Sequence, residues 1–320
     1  MLEFNLKKAF EEINRVKPKL ILLQFPEGLK QRTTELIEEI KKKSNTEVIV
    51  LLDPCFGACD LAEEEAKLLE ADLIIHFGHE KFLDSGVKTV YVPLEYRIDE
   101  NELREGVKKL IDFLKNKKWD KIALASTIQF SNTLKKIKKE LEKNNFSVFV
   151  GKGDKRIARD GVVLGCNYSA VREVEGKVKA TVFIGDGAFH PLGIAFNTEK
   201  EVISFNPLNL EIKEMKEKKE RFERKRFGVI ARAKNAEIFG IILSTKKGQL
   251  NKGIALKAKK EIEGKGKKAF LLAMDTVKEE YLMGVKVDCL VNTACPRITE
   301  DQESFSKPII SVKELGLVLG

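Results

Sequence analysis

The chain has 320 residues, of which 43% are hydrophobic and 33% are charged, and its formal net charge is +9. This length suits two or three domains, and the hydrophobic content supports folded cores and excludes an intrinsically disordered chain. Lysines alternate with glutamates along the predicted helices and no aromatic RNA-binding signature accompanies them, so we predict a lysine-rich solvated surface and no direct nucleic-acid partner.

The first predicted element is an amphipathic helix over residues 1–16, which lacks the features of a secretory signal peptide. No later apolar run is long enough to span a membrane. The five cysteines are an odd number without a secretory signal, which argues against a disulfide framework. We therefore predict a cytoplasmic protein with reduced thiols and no membrane partner.

Short β-rich runs alternate with helical segments along the rest of the chain, and the alternation restarts twice. The predicted strands lie at 19–24, 47–52, 73–77, 89–92, 121–125, 147–150, 162–164, 238–243 and 268–273. The predicted helices lie at 30–43, 61–69, 132–144 and 251–263. This pattern predicts an α/β protein of three similar small domains in a pseudo-threefold arrangement, each with a short parallel sheet flanked by helices.

We place the three domains at residues 1–104, 105–212 and 213–320, which agrees with the usual size of a domain. Linkers are predicted near residues 99–106 and in the charged stretch 211–226, which we interpret as a solvated helix. Each predicted domain contains one cysteine that follows an apolar run and precedes a polar break. These cysteines are Cys59, Cys166 and Cys295.

The three cysteines are candidate metal ligands because loops beyond the carboxyl ends of parallel strands often carry functional groups. Three thiolates brought together would suit a metal or an iron–sulfur cluster with one open position. Cys289 lies inside an apolar run, so we interpret it as a core residue. Cys55 stands four residues before Cys59, and either a local pair or a shared metal site is compatible with that spacing.

Other polar residues at predicted strand ends are candidates for binding or catalysis. His190 follows a Gly-rich turn, Gln129 follows the strand at 121–125, and Arg297 comes directly after Cys295 and Pro296. An arginine at that position suits a carboxylate. His76 and His79 are weaker candidates for a zinc site. Neither a dinucleotide-binding nor a triphosphate-binding glycine motif is present, which disfavours those enzyme classes.

Six phrases taken together resemble the diphthamide-biosynthesis family of 2-(3-amino-3-carboxypropyl)histidine synthases. They occur in the family's order and extend over nearly the whole chain: QFPEGL at 24–29, CFGACD at 55–60, STIQF at 126–130, LGC at 164–166, GDGAFHP at 185–191 and NTACPR at 292–297. Each segment alone is a weak indication of the family. Six segments in the family's order, together with one cysteine in each predicted domain, are a specific indication.

The resemblance implies three similar α/β domains and a homodimer. It implies that Cys59, Cys166 and Cys295 each bind one iron of a 4Fe–4S cluster whose fourth iron is open to S-adenosylmethionine, and that Cys55 and Cys289 are not ligands. An external electron donor would reduce the cluster. The aminocarboxypropyl group would then pass by a radical route to a histidine imidazole carbon of elongation factor 2.

Residues near the ligand phrases are assigned to the same pocket. Arg297, Gln129 and His190 are candidates for contacts with S-adenosylmethionine, and His190 and Gln129 are also the candidate catalytic residues, although the resemblance fixes no catalytic role. No C-x-x-x-C-x-x-C loop is present, so the ordinary radical S-adenosylmethionine architecture is excluded.

Two other functions are compatible with the cysteine pattern. The first is a quinolinate synthase-like enzyme, which would use an open 4Fe–4S iron as a Lewis acid, but the phrases around Cys59 and Cys295 fit it poorly. The second is a zinc-stabilised scaffold that binds a translation factor and has no enzymatic activity.

Overall fold

The computed structural model describes residues 2–320 of the chain, with side chains from residue 4 onward. The chain forms two compact units, of which one ends at Lys216 and the other begins at Glu217. Among the residues described, no helix combines the length and apolar character needed to cross a membrane.

The first sheet of the first unit has the strand order β1-β5-β4-β2-β3. Its strands are β1 (Leu2–Phe4), β2 (Leu20–Gln24), β3 (Glu47–Leu51), β4 (Leu73–Gly78) and β5 (Thr89–Tyr96), and its helices are α1 (Lys7–Val16), α2 (Thr33–Lys43) and α3 (Glu63–Leu68). All neighbouring strands are parallel except β1, which pairs antiparallel with β5. Every residue of β4 is buried, as expected of a central parallel strand covered on both faces.

The second sheet of the first unit has the order β10-β9-β8-β6-β7. Its strands are β6 (Lys121–Ser126), β7 (Ser147–Phe149), β8 (Ala180–Ile184), β9 (Glu201–Asn206) and β10 (Glu211–Glu214), and its helices are α4 (Glu100–Asn116), α5 (Ser131–Lys143), α6 (Ser169–Arg172) and α7 (Phe189–Phe196). Only the edge strand β10 is antiparallel to its neighbour. α4 and α5 bury an apolar face against β6, β8 and β9, which forms the core of this half.

The second unit contains a four-stranded parallel sheet of order β12-β11-β13-β14. Its strands are β11 (Ile238–Ser244), β12 (Lys268–Met274), β13 (Cys289–Asn292) and β14 (Ile309–Ser311), and its helices are α8 (Lys216–Ala233), α9 (Lys252–Gly264), α10 (Glu279–Leu282), α11 (Pro296–Glu300) and α12 (Leu315–Leu319). Short 3-10 helices across both units lie at Glu27–Arg32, Ile128–Phe130, Glu175–Lys177, Gln302–Ser304 and Val312–Glu314.

The predicted fold class is confirmed, because the chain builds three mainly parallel sheets, each flanked by helices. Two predicted elements are wrong. Residues 162–164 form isolated bridges and no strand, because Val162 pairs only with Ser126 before the chain turns. The helix predicted over 1–16 begins at Lys7, since residues 2–4 pair with β5, and Met1 lies outside the described residues.

The two predicted linkers are ordered elements of the fold. Asp99 caps α4 by accepting backbone N–H bonds from Asn101 and Glu102, so residues 100–106 begin a helix that packs into the second core. In the stretch 211–226, residues 211–214 form the edge strand β10 and the helix begins at Lys216. The domain limits after residues 104 and 212 stay predictions.

Candidate metal and substrate site

Cys59 lies in the loop that follows β3, at the carboxyl edge of the first sheet. Gln24, the last residue of β2, holds this loop: its Nε2 donates to the carbonyl of Asp60 at 2.7 Å, and its Oε1 accepts from the backbone N–H of Ala62 at 3.2 Å. The loop also closes on itself, because the backbone N–H of Asp60 donates to the carbonyl of Gly57 at 2.9 Å. The position of Cys59 is therefore set by a buried side chain on the neighbouring strand.

Cys166 stands at the tip of a tight turn at the same edge of the second sheet. The backbone groups of Leu164 and Asn167 exchange two hydrogen bonds of 3.0 Å, which leaves Gly165 and Cys166 as the turn residues. Asn167 is buried and its Nδ2 donates to Asp154 at 2.9 Å. This turn presents the Cys166 side chain to solvent.

Cys59 and Cys166 come together although they belong to different sheets. Although the Cys166 side chain reaches solvent, the protein atoms around it partly desolvate the thiol and so raise its pKa. The nearby Cys59 raises this pKa further. Arg156, which forms an ion pair of 2.8 Å with Asp154, opposes this increase in the pKa. Two thiols in mutual electrostatic contact, with a cation beside them, can bind a metal that stabilises their thiolate forms.

Cys295 follows β13 in the second unit and caps α11. Asn292 shapes this loop, since its Nδ2 donates to the carbonyl of Cys295 and to the hydroxyl of Thr299, both at 2.8 Å. Its Oδ1 accepts the backbone N–H of Ala294 at 2.9 Å. Cys295 is half-buried and occupies the same kind of position, beyond a parallel strand, as Cys59.

The structure places His190 and Gln129 at the carboxyl edge of the second sheet. His190 is the second residue of α7, and its ring stacks on Phe183 with the centroids 5.9 Å apart, while the ring of Phe189 meets its edge at 4.9 Å. Gln129 is half-buried in the 3-10 helix that follows β6. Both residues thus lie at the same end of the sheet as Cys166.

Arg297 is exposed on α11 of the second unit, two residues after Cys295. Its Nε donates to both carboxylate oxygens of Asp301, at 3.0 and 3.2 Å. Arg297 therefore already contacts a carboxylate of the chain, and a substrate carboxylate would compete with Asp301 for the guanidinium group.

The other two cysteines are buried, but in different surroundings. Cys289 lies in the core of the second unit, where burial raises the pKa of its thiol to about 12. Cys55 is 3% exposed and lies beside His76 and His79, with one donor atom of each residue within 4.8 Å of the other two. The sequence analysis singled out both histidines but did not connect them with Cys55.

His76 and His79 form a buried pair of imidazoles. His76 Nε2 lies 2.9 Å from His79 Nδ1, and His76 Nδ1 lies 2.7 Å from Gln24 Oε1. Burial lowers the pKa of His79 to about 4, and burial and the neighbouring His79 hold the pKa of His76 well below its usual value. Both rings are therefore neutral near pH 7.

The sequence analysis missed the polar residues that hold the ligand loops. Asn292 lies in the NTACPR segment at 292–297 but was assigned no role, and neither Asp154 nor Arg156 was predicted to be near the site. Gln24 had a detectable signal, because it is a polar residue at the end of an otherwise apolar strand. Asp154 and Arg156 had none, because their relation to Cys166 depends on the path of a long loop.

A wide groove of the first unit lies away from these side chains. Its volume is about 1800 Å³, and it runs in the first unit along β5 and the start of α1, with Lys8, Tyr91 and Arg159 among its lining residues. None of the predicted site residues lines it.

Comparison with known proteins gives a consistent result over the whole chain. A family model described as "Putative diphthamide synthesis protein" matches residues 25–320. A 2-(3-amino-3-carboxypropyl)histidine synthase of Pyrococcus horikoshii is 38% identical over 98% of this chain and 89% of its own length. The synthase of the same name from Methanocaldococcus jannaschii is 32% identical over 98% of this chain and 87% of its own length.

The structural comparison agrees with the sequence comparison. A crystal structure of Dph2 from Pyrococcus horikoshii with a 4Fe-4S cluster matches with a TM-score of 0.92 and 37% identity, covering 100% of this chain and 92% of that chain. A second crystal structure of that protein matches with a TM-score of 0.93 at the same identity and coverage.

Proposed function

The chain belongs to the diphthamide synthesis family, and from this premise we propose that it is a 2-(3-amino-3-carboxypropyl)histidine synthase. It transfers the 3-amino-3-carboxypropyl group of S-adenosylmethionine to a histidine imidazole carbon of elongation factor 2. The observation that carries this proposal is the meeting of Cys59 and Cys166, from two different sheets, in a chain whose relative was crystallised with a 4Fe-4S cluster.

The residues present fit an iron–sulfur cluster. Iron in such clusters is held by cysteine thiolates, and the chain offers one accessible or half-buried thiol beyond a strand in each sheet. We assign Cys59, Cys166 and Cys295 as the three ligands. When bound, the reduced cluster supplies an electron to the sulfonium of S-adenosylmethionine, and a position without a protein ligand leaves room for that substrate.

The protein's own side chains provide rigid support and substrate contacts. Gln24, Asn167 and Asn292 fix the ligand loops by hydrogen bonds to their backbones or to neighbouring side chains. Arg297 binds the carboxylate of the methionine moiety in place of Asp301. His190 and Gln129 line the pocket as polar side chains, and the rings of Phe183 and Phe189 next to His190 give its wall an apolar part that excludes water.

Further features of the proposal rest on the family resemblance. The enzyme functions in the cytoplasm as a homodimer of chains with three similar domains, and an external donor provides the electron. Elongation factor 2 is its protein partner. A dry pocket and a substrate held in one orientation decide which sulfonium bond breaks, because the nearest carbon reacts.

The decisive experiment is anaerobic incubation of the reconstituted, reduced protein with elongation factor 2 and S-adenosylmethionine labelled in its carboxyl group. We expect the label on a histidine of the factor. No transfer from a preparation with an intact cluster would contradict the proposal. If anaerobically purified protein instead holds zinc, and no iron or sulfide, at Cys59, Cys166 and Cys295, the scaffold function is favoured. Transfer of the label to elongation factor 2 would exclude a quinolinate synthase-like enzyme.

A further inference from the structure

A second cluster of metal-binding side chains lies in the first unit and takes no part in the proposed reaction. Cys55, His76 and His79 each offer one donor atom, and the three atoms lie within 4.8 Å of one another. Cys55 and His76 are buried, with 3% and 0% of their surfaces exposed, and His79 is half-buried. The three donor atoms therefore lie close together in a mostly buried part of the first unit.

The sheet brings these residues together from the ends of two strands, β3 and β4, which lie on either side of β2. Leu51, Gln24 and His76 occupy one row across β3, β2 and β4, at the carboxyl ends of the strands. Cys55 follows β3 by four residues. Gly78 has φ of +88°, which turns the chain directly after β4 and returns His79 toward His76.

The turn at Gly78 leaves no room for a side chain. A Cβ atom there would lie 2.8 Å from Cγ of Pro26, in addition to the strained φ. The close packing of Pro26 on Gly78 therefore fixes the course of the chain that carries His79. The arrangement of the two imidazoles is a consequence of the fold and does not depend on a flexible surface loop.

The donor set is that of a zinc site. One thiolate and two imidazoles are ligands that tetrahedral Zn²⁺ prefers, with Zn–N distances of about 2.0–2.1 Å and Zn–S of about 2.3 Å. These bond lengths place two nitrogen ligands about 3.3 Å apart and a sulfur about 3.5 Å from each nitrogen. His76 Nε2 and His79 Nδ1 are 2.9 Å apart, so the two rings need to separate by only a few tenths of an ångström.

Gln24 provides the outer partner that metal-binding histidines usually have. Its Oε1 accepts the Nδ1–H of His76 at 2.7 Å, which directs Nε2 toward His79. The Nε2 of the same glutamine donates to the carbonyl of Asp60 in the Cys59 loop. One side chain thus orients a ligand of this cluster and supports the loop of Cys59.

We propose that Cys55, His76 and His79 bind one Zn²⁺ ion, with water as the fourth ligand. Binding replaces the hydrogen bond between the two imidazoles: the Nδ1 proton of His79 moves to its Nε2, and the thiol proton of Cys55 leaves to solvent, so one proton is released for each ion bound. The ion ties the ends of β3 and β4 together, while the Cys59 loop keeps its own hydrogen bonds to Gln24.

The test measures zinc and iron separately in the same protein. In anaerobically purified full-length chain, we expect about one zinc per chain, with zinc X-ray absorption spectra that show one sulfur at about 2.3 Å and three nitrogen or oxygen ligands at about 2.0–2.2 Å. Cys55→Ala and His79→Gln should each reduce zinc to background. The matched control Cys289→Ala, which removes the other buried cysteine, should leave zinc unchanged.

A variant that lacks the three proposed cluster ligands makes the zinc test independent of the proposed enzyme function. The triple variant Cys59→Ala/Cys166→Ala/Cys295→Ala should bind one Co²⁺, with a thiolate-to-cobalt charge-transfer band that disappears when Cys55→Ala is added. If the band is absent while circular dichroism shows a folded protein, or if wild-type zinc has more than one sulfur ligand, the zinc proposal is wrong. If the label-transfer experiment of the proposed function failed, the zinc content and the cobalt charge-transfer band would still test the zinc site.

Discussion

Glu300 and Glu314 are both partly buried carboxyls of the second unit, but their pKa values shift in opposite directions. Burial raises the pKa of Glu300 to about 7, and the nearby Arg297 only partly offsets this effect. For Glu314 burial also acts to raise the pKa, but bonds from Arg226 and Ser311 outweigh it and lower the pKa overall. Arg226 is itself buried and donates to the Glu314 carboxylate at 2.7 and 2.9 Å. These bonds compensate for the burial of the Glu314 charge, whereas the arginines near Glu300 compensate for its burial only in part.

The raised pKa of Glu300 makes stability depend on pH. The folded protein keeps this carboxyl protonated up to about pH 7, whereas the unfolded chain ionises near 4.5, so the stabilisation is complete below pH 4.5 and is lost as the pH rises through 7. We expect the unfolding free energy of Glu300→Gln, relative to the wild type, to grow by about 1–2 kcal/mol between about pH 4 and about pH 8, because solvent screening of this partly exposed carboxyl reduces the effect of its pKa shift.

Urea denaturation across this pH range measures the difference. Glu303→Gln is the matched control, since Glu303 is exposed and its pKa is lowered by Lys225. The control should show no such growth with pH. A difference between Glu300→Gln and the wild type that is constant with pH would show that Glu300 ionises normally in the folded state.

The cysteines give a second prediction at the residue scale. Cys59→Ala, Cys166→Ala and Cys295→Ala should each lose most of the iron and sulfide, whereas Cys55→Ala and Cys289→Ala should retain both. The physical reason is that the first three lie in loops and are at least partly accessible, while the other two are buried. Iron and sulfide analysis of each variant after anaerobic reconstitution tests this prediction. Equal iron loss from Cys55→Ala and Cys59→Ala would refute the ligand assignment.

At the scale of elements, each ligand cysteine depends on a loop whose shape a few contacts determine. The Leu164–Asn167 turn packs Gly165 against the ring of Phe189, so that a Cβ atom at this glycine would lie 2.5 Å from Cε1 of Phe189. The same ring meets the edge of His190. The turn that presents Cys166 and the start of α7 are therefore packed as one structure.

Gly165→Ala should displace this turn and reduce the iron content per chain. Overpacking of this kind typically costs about 1–3 kcal/mol, so the variant should remain folded with a lowered melting temperature. Gly176→Ala is the control, because a Cβ atom there meets no atom within 4 Å. Iron analysis and thermal unfolding measure the two effects, and unchanged iron in Gly165→Ala would show that the packing on Phe189 does not position Cys166.

At the scale of the whole molecule, the compact units differ from the predicted domains. The first unit contains two sheets, and α4 spans the predicted limit after residue 104. Tyr96 stacks on Phe130 with the ring centroids 4.8 Å apart, which joins β5 of the first sheet to the core of the second. The second unit has its own core clusters and its own buried ion pair, Arg226–Glu314.

We expect a fragment of residues 217–320 to fold alone and to unfold cooperatively. A fragment of residues 1–104 should not fold, because the cut divides α4 and separates Leu103 from the core in which it is buried. Circular dichroism during thermal unfolding distinguishes the two outcomes. Cooperative unfolding of the N-terminal fragment would instead support the predicted limit after residue 104.

The sequence by itself determined most of the central parallel strands and singled out Cys59, Cys166 and Cys295, because apolar periodicity and the position of polar breaks are local properties of the chain. It also separated Cys289 from those cysteines, since that residue lies within an apolar run. Only the tertiary structure decided which distant residues meet: Cys59 with Cys166, Gln24 with the Cys59 loop, and Cys55 with His76 and His79. Those contacts depend on strand order, register and the turn at Gly78, which no local pattern specifies.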